Sequence, residues 1–169
     1  CRSYKLKSFI LRLRNTMKID IYTDGGCKPN PGYGACAIVV VKDNEVVYEK
    51  AYKKDSTTNN RMELSAMIIA LGYVRDKIPL GTETYIHSDS QYVQKGITLW
   101  MQNWKRNSWK TATKKDVVNK DLWLRIDELV LEILALSKYV EYSWVKGHSD
   151  SVYNNRVDAL CTNIIMKYT

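Results

Sequence analysis

The sequence predicts an α/β fold: a five-stranded mixed sheet, antiparallel at one edge and parallel beyond it, flanked by helices. Two patterns carry this expectation. GACAIVVVK and VVYEKAYKK are strand-like runs separated only by the turn DNE, which reads as a hairpin. After the hairpin, helical and strand patterns alternate to the end of the chain, as parallel strands with crossover helices require. The 169 residues are 45% hydrophobic and 26% charged, ordinary values for one domain around a single core.

Each element has its own signal. MKIDIYTD (17–24) alternates, with Ile19, Ile21 and Thr23 on one side, and reads as a first strand that stops at Asp24 before Gly25 and Gly26. The hairpin supplies strands two and three. The polar loop DSTTNN leads into RMELSAMIIALGYVRDK, where Met62, Ala66, Ile69, Ala70 and Tyr73 recur at helical spacing and Pro79 and Gly81 follow the end. TETYIHS is a fourth strand, DSQYVQK a short helix closed by Gly96, and ITLWMQNWK the start of another helix. NKDLWLRIDELVLEILALSK is a long amphipathic helix, KYVEYSWV the fifth strand and NNRVDALCTNIIMK a C-terminal helix.

Charge and cysteines narrow the function classes. Lys and Arg number 26 against 18 acidic residues, a net charge of +8, which makes a polyanion a candidate partner. Cys1, Cys27, Cys36 and Cys161 lie far apart without a CxxC pair, which argues against zinc and against a disulfide framework. They read as free thiols of a reducing compartment, so the expected location is cytoplasmic. No apolar run approaches the roughly 20 residues that span a bilayer. Residues 1–16, CRSYKLKSFILRLRNT, are basic without an acid and lack a clear secretory pattern. The expected organisation is a poorly ordered basic leader over 1–16 and one domain over 17–169.

Four carboxylates each admit a local explanation. Asp24 precedes two glycines, a common turn signal. Glu63 follows Asn60 by three residues, as in an N-cap with an acidic third position. Asp89 stands between a strand and a short helix and could cap it. Asp158 lies near the start of the last helix, where an acid suits the dipole. Jointly they invite another reading, because sites in open α/β sheets form at strand carboxyl ends. Asp24 and Asp89 occupy such ends, and Glu63 and Asp158 could reach the same crevice from helices. Converging carboxylates repel unless cations lie between them, and an all-oxygen set favours Mg²⁺ or Mn²⁺ over zinc. Two such ions about 3.5–4 Å apart can stabilise the attacking and leaving oxygens of a phosphoryl displacement. His148, in the loop VKGHSD, would suit proton transfer beside such a site.

At these residues the chain resembles the cellular, bacterial-like type 1 ribonuclease H family. The matching stretches are YTDGGC, PNPGYGA, TTNNRMEL, SDSQYV, GITLWMQNWKRNSWKTA, DLW, WVKGHS and NNRVD, in the family's order and over nearly everything from Met17 onward. The resemblance implies a ribonuclease H-like fold and endonucleolytic cleavage of RNA paired with DNA. Water would attack with two Mg²⁺ ions bound, Mn²⁺ being a possible substitute, leaving 5′-phosphate and 3′-hydroxyl ends. It implies that Asp24, Glu63, Asp89 and Asp158 bind the metals, that His148 is a mobile catalytic histidine, and that Asn30, Asn60 and Gln91 contact the hybrid. Such contacts would use the minor groove and the 2′-hydroxyls that distinguish RNA.

Residues 95–120 hold seven basic residues and one acid, interleaved with tryptophans. They resemble the family's basic protrusion, which implies that Trp100, Trp104, Lys105, Arg106, Trp109, Lys110, Lys114 and Lys115 grip the DNA strand. Packing is the default role for at least one of Trp100 and Trp104, four apart on a helix. Cys161 stands where the family more often carries a small residue, a difference expected to affect packing. The expected partner is an RNA–DNA hybrid, with no membrane, no obligatory protein partner and a monomeric state. Two alternatives stay open at this point: a ribonuclease H domain of a retroelement reverse transcriptase, and an inactive hybrid-binding module.

Overall fold

The computed structural model describes residues 16–147 and 150–169. Its five strands are β1 (Lys18–Lys28), β2 (Gly32–Lys42), β3 (Glu45–Thr57), β4 (Glu83–Ser88) and β5 (Val140–Trp144). They form one sheet in the order β3-β2-β1-β4-β5. β1 pairs antiparallel with β2 and parallel with β4, and β5 is parallel to β4. The helices are α1 (Asn59–Lys77), α2 (Gln91–Lys95), α3 (Met101–Arg106), α4 (Lys120–Ala135) and α5 (Val152–Tyr168).

The β2–β3 turn is tighter than expected. Only Asp43 and Asn44 connect the strands, and Glu45 already pairs with Lys42. Both turn residues have positive φ (51° and 60°), the backbone that matches the twist of a two-residue hairpin and that Asp and Asn tolerate.

Strand alternation divides the interior. Ile19, Ile21, Ile38, Val40 and Ile86 point to one face and pack with α1 and α4 residues such as Leu64, Leu71, Trp123 and Ile126. Ala35, Ala37, Val39 and Val41 point to the other face and meet Val157 and Cys161 of α5. β2 is thus buried on both faces, as its unbroken apolar run requires.

Two expectations are corrected. β1 does not stop at Asp24. Pairing with β2 continues through Gly25↔Cys36 to Lys28↔Tyr33, whereas pairing with β4 ends at Thr23↔Ser88. Asp24 is therefore the first β1 residue beyond the parallel pair, at the mouth of a crevice. Gly96 does follow α2 as its cap, but it does not stop the helical path. It has ordinary right-handed helical φ and ψ (−58°, −49°), and the chain runs through a π-helical turn, Gly96–Trp100, into α3. The glycine serves packing: a Cβ there would overlap the Trp123 indole ring.

Candidate active site

Asp24 is put in place by β1, and Gly25 lets α1 come close behind it. A Cβ on Gly25 would overlap the Met62–Glu63 backbone, so only glycine allows this contact. Glu63 lies on α1 beside Asp24. Its capping explanation fails, because α1 begins at Asn59 and Thr58 is the cap, its hydroxyl accepting from Arg61 N at 3.3 Å. The bidentate pair of Arg61 with Asp121 (3.0 and 2.7 Å) ties this end of α1 to the start of α4.

The Asp89 capping explanation fails in the same way. Ser90 caps α2, its hydroxyl accepting from Val93 N. Asp89 is held from the end of β5 and the segment after it: Trp144 Nε1 donates to Asp89 O at 2.9 Å, and a Cβ on Gly147 would stand 3.0 Å from Asp89 Oδ2. Asp158 is not in the first turn of α5, whose cap is Ser151. Half-buried on the helix, it lies near enough to Asp24 to raise that carboxyl's pKa.

Asp24, Glu63 and Asp89 offer carboxylate oxygens that all lie within 4.8 Å of one another, the one such cluster among the described residues. Burial, then the charges of Asp89 and Asp158, push Asp24 up to about 6. Burial, then Asp24 and Asp89, hold Glu63 well above the usual carboxylate range, although the Gly25 amide pulls both groups down. Glu63 Oε2 is buried and has no hydrogen-bond partner. A buried carboxylate oxygen without a donor, facing two like charges, fits a divalent cation bound by oxygen ligands.

The remaining expected residues are spread around this cluster. Asn30, in the β1–β2 turn, accepts from Asn59 N at 3.2 Å and so lies against the start of α1, whose next residue is Asn60. Gln91 opens α2, two residues after Asp89. His148 lies outside the described residues, as do residues 1–15 of the expected leader.

In the protrusion, Trp104 and Trp109 are half-buried against the main core, and Trp100 stands 5.8 Å from Trp104 between ring centroids. Lys105 pairs with Asp127 and Lys110 with Asp116, both at 2.8 Å. Arg106, Lys114 and Lys115 make no ion pair among the described residues.

Three supporting residues carry no clear signal in the sequence. Trp144 and Gly147 are visible there only as parts of WVKGHS, where His148 is the residue with evident chemistry. Cys161 does more than pack: its thiol donates to Asp24 O at 3.4 Å, while Cys27, Cys36 and Cys161 are all free and buried.

The RNase H family model matches residues 16–165. A protein named Ribonuclease H from Treponema denticola is 43% identical over 164 residues, covering 89% of this chain and 99% of that protein. Among solved structures, LC9-RNase H1, described as a type 1 RNase H with the type 2 active-site motif, superposes with a TM-score of 0.74 at 24% identity, covering 91% of this chain and 74% of that one. LC11-RNase H1 in complex with an RNA/DNA hybrid gives 0.67 at 22% identity, covering 89% and 98%. At those identities the two structures speak to the fold alone, whereas the family model and the bacterial relative speak to descent. This chain belongs to the RNase H family, metal-dependent hydrolases that cleave the RNA strand of RNA–DNA hybrids.

Proposed function

We propose that Asp24, Glu63, Asp89 and Asp158 hold two Mg²⁺ ions, replaceable by Mn²⁺, and that this site cuts the RNA strand of a bound hybrid to leave 5′-phosphate and 3′-hydroxyl ends. The observation that carries the reading is the close set of three carboxylates with Glu63 Oε2 buried and unpartnered. Bound divalent cations supply neutralisation of phosphate charge and activation of water at neutral pH.

The chain's own groups do the rest. Asp24, just beyond the parallel β1–β4 pair, stands centrally, with Glu63 on α1 and Asp89 beyond β4 beside it. Burial of Asp24 and Glu63 keeps the local dielectric low, which strengthens their hold on cations. His148, next after Gly147, takes proton transfer to the leaving oxygen, a role to which an imidazole's ordinary pKa is suited. Asn30, Asn60 and Gln91 read the minor groove and its 2′-hydroxyls. Trp100, Trp104 and Trp109 shape the protrusion, and Lys105, Arg106, Lys110, Lys114 and Lys115 give it its charge toward DNA phosphates.

The test is incubation with end-labelled hybrid, duplex DNA, duplex RNA and each single strand, with Mg²⁺ or with chelator. Cleavage confined to the RNA of the hybrid and abolished by chelator is expected. Cleavage of duplex DNA, or full activity after exhaustive chelation, would contradict the reading.

A further inference from the structure

Beyond Asp24, β1 runs on for four residues, and its alternation keeps Asp24, Gly26 and Lys28 on the face covered by α5. α5 follows this track: Cys161 reaches Asp24 O, and a Cβ on Gly26 would stand 3.5 Å from Ile165 Cδ1. Where the track ends, Tyr33, Lys53, Lys54, Asp55, Ile165 and Tyr168 come together in one surface patch. Lys28 joins it through its pairing with Tyr33.

The chemistry of this patch differs from an ordinary solvated surface. Tyr33 and Tyr168 leave 44% and 49% of their surface exposed. Lys53 Nζ stands 4.0 Å from the centroid of the Tyr168 ring, a cation held over an aromatic face. One acid is present, Asp55, which approaches Lys53 only to 4.0 Å and whose side chain is 77% exposed. Lys28, Lys54 and Lys167 make no ion pair among the described residues. Neither the core nor the carboxylate site uses these groups.

Half-exposed tyrosines beside several lysines suit nucleic acid whose bases are free to stack. A duplex hides its base faces and would leave the tyrosines idle, so a single strand is the better fit. Lys28, paired with Tyr33 of the patch, lies about 13 Å from Asp24 by strand rise, about four base steps of a duplex. A strand whose paired part occupies the carboxylate site can therefore reach the patch with its unpaired end.

We propose that Tyr33, Lys53 and Tyr168, with Lys28 and Lys54, form a second contact that binds a single-stranded overhang of the hybrid, an inference that rests on the reading of the carboxylate site given above. The bases stack on the tyrosines and the phosphates meet the lysines.

The experiment measures affinity by fluorescence anisotropy, in chelator so that nothing is cut. The probes are a blunt RNA–DNA hybrid and the same hybrid carrying a short extension at each of its four ends in turn. One extension should raise affinity about tenfold over the blunt hybrid, a typical effect of base stacking on aromatic side chains. The ratio of extended to blunt affinity is the readout within each protein, so a general change in binding cancels. In Tyr33→Leu/Tyr168→Leu that ratio should fall to about one. Lys53→Gln, which leaves both tyrosines in place, should shrink it and lower its salt dependence. No extension exceeding the blunt hybrid, or a ratio unchanged in both variants, would overturn the inference. A blunt hybrid left uncut in Mg²⁺ would instead overturn the site reading, and the inference with it.

Discussion

Gly25 and Glu63 meet where β1 and α1 cross, so closely that a methyl group on Gly25 would overlap the backbone nitrogen of Glu63. The obstacle is backbone, not the end of a flexible side chain, so relief requires α1 to move and Glu63 to move with it. Gly25→Ala should destabilise the protein by about 1–3 kcal/mol through overpacking. It should also slow cleavage by about 10²-fold or more, since small displacements of reacting groups have such effects. Thermal melting and single-turnover cleavage on one preparation would check both, and near-parental values of both would show that α1 is not held by this contact.

Asp24 makes a prediction whose sign runs against the usual carboxylate. Its folded pKa is raised to about 6, chiefly by burial, so the folded state holds a proton more tightly than the unfolded chain. Stability of the metal-free protein should therefore fall as pH rises from about 4 through about 6, because the unfolded state gives up its proton first. Glu63, also raised, acts in the same direction. Asp24→Asn should stabilise the metal-free protein at neutral pH by about 1–3 kcal/mol and flatten this slope, while cleavage is lost. Melting against pH in chelator would check it. A rise in stability across the same window would contradict the raised pKa.

The protrusion divides its cations into two sets. Lys105 and Lys110 are already engaged by Asp127 and Asp116, whereas Arg106, Lys114 and Lys115 make no such pair among the described residues. Replacing the second set with Ala should weaken hybrid binding and reduce its salt slope by nearly one unit for each phosphate that is no longer neutralised. Lys110→Ala should do less to binding, and breaking its exposed ion pair should alter stability by about 1 kcal/mol or less. Affinity measured over a salt series separates the sets, and equal slopes in parent and triple variant would make this surface a solvated face.

How much of this was legible in the sequence depended on the range of the interactions. The strands themselves and the antiparallel hairpin edge follow from alternation, which is local and repeated over many residues, whereas the strand order β3-β2-β1-β4-β5 depends on pairings between distant segments. The helix caps were not legible. TTNN and SDS each offer several residues with equivalent capping chemistry, and the extended backbone of Thr58 and Ser90 that selects them emerges only on folding. Gly96 looked like a helix stop because its partner, the Trp123 ring, is distant in sequence. β1 seemed to end at Asp24 because the residues that extend it, Cys36 to Tyr33, lie on another strand. For the site, residue types and strand-end positions pointed to the carboxylates. The support of Asp89 by Trp144 and Gly147 joins the end of β4 to the end of β5 and the segment after it, far apart in sequence, and no local pattern signals it.

The neighbours Asp89 and Ser90 give the most direct test, because the structure assigns the capping to Ser90 and leaves Asp89 in the carboxylate cluster. Ser90→Ala should lower stability by about 1 kcal/mol, as removal of a cap does. Asp89→Asn is nearly isosteric and should fold and bind hybrid much as the parent does. Its single-turnover cleavage in Mg²⁺ should fall by about 10²–10³-fold or more, the usual consequence of removing one preorganised electrostatic contact. The decisive measurement is that rate, taken on a preparation whose melting and hybrid affinity match the parent. A drop of this size is the result predicted, and cleavage within a few-fold of the parent would show that the carboxylate cluster is not the catalytic site.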